Sequence, residues 1–246
     1  MEEKNLIRIN KYFSEIGYCS RREADKLIEQ KRVTINGVVA ENGCKVSSKD
    51  DIRLNGKRIS GKGKEPIYIT FNKPRGIVCT TDTHREKNNI IDYIKHPERI
   101  FPIGRLDKDS QGLILLTSDG DILNKILRAG NNHEKEYRVV VKQPITKSFI
   151  HKMGNGVPIL GIVTKKCFVE QIDAYSFRII LTQGLNRQIR RMCEQLGNSV
   201  RQLERYRIMN INLDIPIGKW RYLTKDELDE IQALVTESSK TSEGSS

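Results

Sequence analysis

The chain has 246 residues, 37% of them hydrophobic and 30% charged, with a formal net charge of +12 and a pI of about 9.5. That composition suits a globular, cytoplasmic protein of one large domain or two. No apolar run approaches the ~18 residues of a membrane span, and the opening MEEKNLIRIN is too polar for a secretory signal. Five cysteines (Cys19, Cys44, Cys79, Cys167, Cys193) without a CxxC spacing argue against a disulfide framework. The histidines form no zinc-type pair, so no metal is expected. A strong positive charge points to a polyanionic partner, nucleic acid first.

The first segment reads as a small domain. Ile9, Tyr12, Phe13 and Ile16 recur at helical spacing, and Gly17 is placed to stop that helix. Ser20 to Glu23 form a capping box, and Ala24, Leu27 and Ile28 make the apolar face of a second helix. VTINGVVA alternates around Asn36-Gly37, a hairpin signal. A further strand pair turns at Asn55-Gly56. Arg21 and Arg22 stand in the first turn of the second helix, where the helix dipole disfavours cations. A phosphate would reverse that penalty. Residues 1–64 hold 15 Lys and Arg against 9 Asp and Glu, so they carry half of the net charge. Two short helices, SRREADKLI on the second, and the hairpin resemble the S4 RNA-binding domain over residues 6–60. The resemblance implies that structured RNA docks on the face bearing Arg21, Arg22 and Lys26.

Gly61-Lys62-Gly63-Lys64-Glu65-Pro66 has linker composition. Beyond it, residues 67–71 read as a strand, broken by Asn72-Lys73-Pro74-Arg75-Gly76 as a turn with two cations. Residues 112–117 are apolar and read as a buried strand. Residues 119–128 read as a helix with Ile122 and Ile126 inward. Tyr137, Val139 and Val141 alternate along one strand, and Phe177, Ile179 and Leu181 along another. Thr146 caps a helix reaching Met153. A helix over 187–196 buries Ile189, Cys193 and Leu196, with Asn186 as its N-cap, and Thr224 to Glu227 form a second capping box. The tail from 236 reads as disordered. Strand-dominated segments with helices between them predict an α+β sheet domain rather than strict βαβ alternation.

Three stretches carry candidate chemistry. In GRLDKDSQGLILLTSDG, Asp107 lies between cations in a loop bounded by Gly104 and Gly112 and anchored by the apolar strand. The common meaning of such a residue is a solvated loop carboxylate. A rigid scaffold beneath it, however, is where functional loops sit, and a carboxylate at a core edge needs a cation to stay ionised. In GLNRQIRRM the arginines crowd a helix start, and six arginines and no lysine fall between residues 187 and 207. Arginine's planar fork suits phosphate and carboxylate. Arg190, at the margin of the apolar face, is placed to reach a buried partner. In KEYRV, Tyr137 points to the core or a cleft, either as a core tyrosine or as a ring on which a base stacks.

GRLDKDSQGLILLTSDG, KEYRV and GLNRQIRRM, in that order behind an S4-like segment and NKPRG, resemble the RsuA-type family of RNA pseudouridine synthases over nearly the whole chain. AGNNHEKEYRV is most similar to the RluF branch, which modifies large-subunit ribosomal RNA. Ser118 stands where the family commonly has Asn. The resemblance implies a nucleophilic Asp107 acting at or through the ribose C1′, release and rotation of uracil, and rejoining through C5 without any cofactor. It implies that Tyr137 packs on the base and takes part in proton removal, and that Arg190 pairs with the aspartate. Arg105 would hold the flipped-out nucleotide. Lys73, Arg75, Arg187 and Arg191 join Arg21, Arg22 and Lys26 as expected RNA contacts.

The expected layout is an S4-like domain over 1–62, a linker over 63–66, a mainly antiparallel synthase domain over 67–235 and a tail over 236–246. The expected partner is 23S ribosomal RNA, free or in an assembling subunit, with transfer RNA a further candidate and a monomer the default. Two other classes compete: a non-catalytic ribosome-assembly factor, and a metal-dependent nuclease built on Asp107, Asp109, Asp119 and Asp121.

Overall fold

The structure, a computed structural model, describes residues 6–59, 65–82, 85–120, 122, 126 and 133–236. The expected tail beyond Thr236, Gly63 and Lys64 of the linker, Asp121 and most of the expected helix over 119–128 lie outside the described residues. Contacts divide the chain into two units, Met1–Pro66 and Ile67–Ser246.

In the first unit, β1 (Ile7–Arg8) leads into α1 (Ile9–Glu15), followed by α2 (Arg21–Glu29). The Ser20 hydroxyl accepts the Glu23 amide, and the Glu23 carboxylate accepts the Ser20 amide, so the capping box is complete. Strands β2 (Val33–Ile35), β3 (Val38–Val39), β5 (Ile52–Leu54) and β6 (Lys57–Arg58) form an antiparallel sheet in the order β3-β2-β5-β6, while β4 (Lys45–Val46) pairs with β1. Both hairpins turn on Asn-Gly pairs with positive φ at each residue, 51° and 85° at Asn36-Gly37 and 50° and 75° at Asn55-Gly56. That backbone matches strand twist and is open mainly to Asn and Gly. Ile9, Phe13, Ala24, Ile28, Val33 and Ile52 form the core.

The second unit is built on one long sheet. Its strands are β7 (Tyr68–Lys73), β8 (Phe101–Ile103), β9 (Gln111–Thr117), β10 (Lys135–Val141), β13 (Phe168–Gln171), β14 (Ser176–Leu181), β15 (Val200–Ile208), β16 (Ile211–Asn212) and β17 (Trp220–Tyr222). They run β13-β14-β10-β15-β9-β7-β17, with β16 beside β15 and β8 beside β9. A hairpin of β11 (Pro158–Ile159) and β12 (Ile162–Val163) stands apart. The helices are α3 (Ile90–Ile94), α4 (Lys147–Asn155), α5 (Gln188–Gln195) and α6 (Lys225–Thr236). Thr146 caps α4 through the Phe149 amide, and Thr224 and Glu227 cap α6 reciprocally.

Strand β9 explains its own apolar run. Leu113 and Leu115 pack on one face with Ile122, Ile126, Ile211 and Ile231, and Ile114 and Leu116 on the other with Ile69, Phe71 and Leu106. A strand buried on both faces has no polar face to alternate with. Full burial of each such side chain is worth about 1.5–3 kcal/mol.

All pairings in the sheet are antiparallel except one. Strands β15 and β9 meet in parallel over Glu204↔Gln111 and Arg205↔Gly112. This seam joins two antiparallel halves. Gly112, at φ +107°, makes it possible, because a Cβ there would lie 2.2 Å from the Arg205 carbonyl oxygen.

Two boundaries depart from the sequence reading. Strand β7 continues through Asn72 and Lys73, so the turn starts at Pro74. Asn72 is held by the Ile215 carbonyl through its amide side chain and by the backbone of Gly218 and Lys219. Helix α5 begins at Gln188, and Asn186 does not cap it. Arg187 occupies the cap position in a left-handed conformation, φ 51° and ψ 36°, with no side-chain cap. Asn186 instead accepts hydrogen bonds from Arg191 through its carbonyl and side-chain oxygens.

Candidate active site

The Asp107 loop leaves β8 through Gly104 and enters β9 at Gln111. It is pinned at three points. The Leu106 amide donates to the Cys79 sulfur (3.4 Å) and the Leu106 side chain is buried. The Gly76 amide donates to the Lys108 carbonyl (2.8 Å), tying the NKPRG turn to the loop. The Ser110 amide closes a turn on the Asp107 carbonyl (3.0 Å). Arg190 adds a fourth tie, donating to the Asp109 carbonyl (3.2 Å) and to the buried Ser110 hydroxyl (3.1 Å).

Two arginines face the Asp107 carboxylate. Arg190 Nε lies 3.6 Å from Oδ2 and Arg187 Nη1 lies 3.7 Å from it. The Arg190 side chain is 10% exposed, the Arg187 side chain 41% and Asp107 itself 32%. Neither contact is short enough for a hydrogen bond, and Arg190 Nε, itself buried, has no hydrogen-bond partner. Burial, then the neighbouring Arg187 charge, push the Arg190 guanidinium below its ordinary value, against the pull of Asp107 and Asp109. The carboxylate is thus held in a positive field with its oxygens uncommitted.

Tyr137 is half-buried between the core of Val139, Phe177 and Ile179 and the core that contains Leu106. The β10–β15 pairing has a bulge between Glu136 and Tyr137. Bulges re-aim side chains next to functional sites. Glu136, on the opposite face of β10, is buried and bonded by Arg178, Arg207 and the Tyr206 hydroxyl. Burial pushes its carboxyl up; the bonds from Tyr206, Arg207 and Arg178 outweigh that and hold it below the carboxylate range.

The other expected RNA contacts fall into two groups. Arg105, Arg75 and Arg187 are exposed around the loop, and Arg191 is half-buried beside them on α5; Arg75 also donates to the Arg201 carbonyl (3.1 Å). Arg21, Arg22 and Lys26 are exposed on α2 of the first unit. Lys73 is a correction. It is fully buried, and its ammonium donates to the Pro74 and Ile77 carbonyls (2.9 Å each), so it braces the turn and presents no charge to RNA. Arg205 and Glu136 went unnoticed in the sequence; strand alternation puts Glu136 opposite Tyr137, but nothing local announces its partners. Asp119, which a nuclease would need for metal, instead accepts the Tyr68 hydroxyl and the Ile122 amide. Among the described residues no group of three His, Cys, Asp or Glu is arranged to hold a metal ion.

A loop carboxylate facing two arginines next to a sheet seam, with a tyrosine packed on the core that also holds the loop's Leu106 and a second unit rich in cations, fits an enzyme that acts on RNA. Comparison with known proteins makes this specific. The RNA pseudouridylate synthase family matches residues 67–195 and the S4 domain matches residues 7–52. The chain belongs to the RNA pseudouridylate synthase family. It is 57% identical to the dual-specificity RNA pseudouridine synthase RluF of Escherichia coli strain K12, over 95% of this chain and 81% of that protein. It is 34% identical to the ribosomal large subunit pseudouridine synthase B of Bacillus subtilis strain 168, over 92% and 96% of the two chains. A crystal structure of a pseudouridylate synthase superposes with a TM-score of 0.67 at 30% identity, covering 92% of this chain and 99% of that one.

Proposed function

We propose that this pseudouridine synthase converts a specific uridine of large-subunit, 23S ribosomal RNA to pseudouridine, with Asp107 as its nucleophile. The observation that carries the assignment of Asp107 is its uncommitted carboxylate between Arg187 and Arg190. A relative named for the large ribosomal subunit supports the substrate, and a relative of dual specificity supports a second RNA, with transfer RNA the candidate.

The chemistry balances without a cofactor. The Asp107 oxygen bonds to C1′ as the C1′–N1 bond breaks, its electron pair going to N1. Uracil turns on its stacking surface, Tyr137. C5 then attacks C1′, the carboxylate leaves, C5 gives up its proton with Tyr137 assisting, and N1 takes one up. Arg190 and Arg187 face the carboxylate and orient it. The target base reaches the loop only when flipped from its stack, and in this reading Arg105, Arg75 and Arg191 hold the flipped strand by its phosphates. Residues 1–62 act as the docking domain through Arg21, Arg22 and Lys26, residues 63–66 as the connector, and residues 67–235 as the chemical domain. The protein works as a cytoplasmic monomer.

The substrate is tested by mapping pseudouridine in ribosomal and transfer RNA from cells with and without the gene. Loss of one 23S position, restored by the wild-type protein, is expected. An unchanged 23S map overturns the large-subunit assignment.

A further inference from the structure

Beneath Tyr137 lies an arginine the reaction above does not use. Arg205 is 3% exposed. Its backbone stands at the seam, opposite Gly112 on β9 and opposite Tyr137 on β10. Its Nε donates to the Leu113 carbonyl at 2.7 Å, on the strand the Asp107 loop runs into. Its guanidinium carbon lies over the Tyr137 ring, 5.9 Å from the centroid. Its Nη2 is buried with no hydrogen-bond partner. One side chain therefore touches the nucleophile strand and the base-stacking ring, and keeps an unsatisfied donor in a dry place, which costs folding free energy.

The surroundings concentrate positive charge there. Lys73 and Lys135 are the neighbouring cations. Burial, followed by the Arg205 charge, pulls the Lys135 amine down to about 8. Burial also lowers the Lys73 amine, with Arg205 adding to it against Asp107, Asp109 and Cys79. Arginine cannot give up its proton in this range.

We infer that Arg205 is a positioning residue of this reaction: it locks the Tyr137 ring to the nucleophile strand and sets a fixed positive charge beneath the base, so that uracil leaves C1′ as an anion. The inference rests on the reading of Asp107 as nucleophile. When the C1′–N1 bond breaks, the electron pair goes to N1 and negative charge spreads over the uracil ring and its carbonyls. A cation fixed behind the stacking ring, in a site of low dielectric, stabilises that charge without reorganising. It does nothing comparable for neutral uridine in the ground state, so its effect belongs to the rate and not to binding.

The test compares Arg205→Gln and Arg205→Lys with wild type on two RNAs, one with uridine at the target and one with 5-fluorouridine, whose fluorine already stabilises the departing anion. Single-turnover rates of base detachment, RNA affinity and thermal unfolding are measured. For Arg205→Gln the rate on uridine should fall about 100-fold, with affinity within about threefold. On 5-fluorouridine the loss should shrink to about tenfold or less. Arg205→Lys, which keeps the charge, should recover part of the uridine rate, and it carries the substrate comparison alone if the Gln variant fails to fold. Equal losses on both RNAs, a loss confined to affinity, or no loss overturns the inference. Asp107→Asn is run in parallel and should be inactive on both RNAs; turnover by that variant would strike the nucleophile reading instead, leaving the fluorine contrast at Arg205 to be judged by itself.

Discussion

Two carboxylates of the larger unit, Asp107 and Glu136, each face two arginines, and they are held in opposite ways. Glu136 has a side chain only 5% exposed and takes bonds from Arg178, Arg207 and Tyr206. Both of its oxygens are engaged, and it fastens β10 to both neighbouring strands. Asp107 is 32% exposed, with its arginines at 3.6 and 3.7 Å and no hydrogen bond between them. A saturated carboxylate is a rivet, because attack by it would first require breaking its bonds. A carboxylate with two arginines near it but no hydrogen bond to either keeps lone pairs free to reach carbon.

The contrast breaks first at Asp107. Asp107→Asn replaces the proposed nucleophile by a nearly isosteric group that cannot attack. Tritium release from 5-tritiated uridine RNA should drop by at least about 10⁴-fold, with RNA affinity nearly intact. Substantial turnover would erase the difference in role between the two carboxylates.

Glu136→Gln should do the reverse, costing about 3 kcal/mol of stability and little of the chemical rate in the folded enzyme. The sign of its pH dependence follows from the depressed carboxyl. A group held below its ordinary value contributes stability that is complete above the unfolded carboxylate value of about 4.3. That contribution disappears as pH falls through the folded value. Denaturant unfolding of both proteins should therefore show a gap that is full at neutral pH and narrows on acidification below about 4.3. A gap of constant size would mean that Glu136 acts through packing rather than charge.

The two arginines at Asp107 sharpen the contrast further. Arg190→Ala should lower the single-turnover rate by about 100-fold, and Arg190→Lys should restore part of it, since the charge returns without the bonds to Asp109 and Ser110. Arg187→Ala, at the more exposed partner, should lose about tenfold or less. Equal losses at the two positions would show that burial does not grade the pair.

The arginines proposed to face RNA instead of a carboxylate should give the smallest effect. Arg21→Ala with Arg22→Ala should leave the chemical step alone and reduce the salt dependence of RNA affinity, lowering the slope by up to about two. An unchanged slope would remove the docking role from α2.

Much of this was legible in the sequence because it is local. Asn-Gly turns, Ser20 and Glu23, Thr224 and Glu227, and the doubly apolar LILL each carry their reason within a few residues. The loop carrying Asp107 and the margin position of Arg190 were legible too. What was hidden is non-local or counter to type. Lys73 reads as a surface cation because lysine is rarely buried, and its burial depends on two carbonyls supplied by the turn that follows. Arg187 adopts a left-handed backbone that no propensity favours. Arg205 meets Leu113 across 92 residues, a pairing with no signal in either stretch.

The parallel seam has a consequence for the life of the chain. Asp107 belongs to the half made first, while Arg190 and the residues that close the seam, Glu204 and Arg205, are synthesised far later. Contacts between such distant segments form slowly and only after much of the chain is available. A growing polypeptide still short of Arg187 lacks both arginines that face Asp107, and one still short of Glu204 lacks the strand that closes the seam. With Asp107 in its proposed role, the site is complete only when the sheet closes, so an unfinished copy surrounded by ribosomal RNA is expected to be chemically silent.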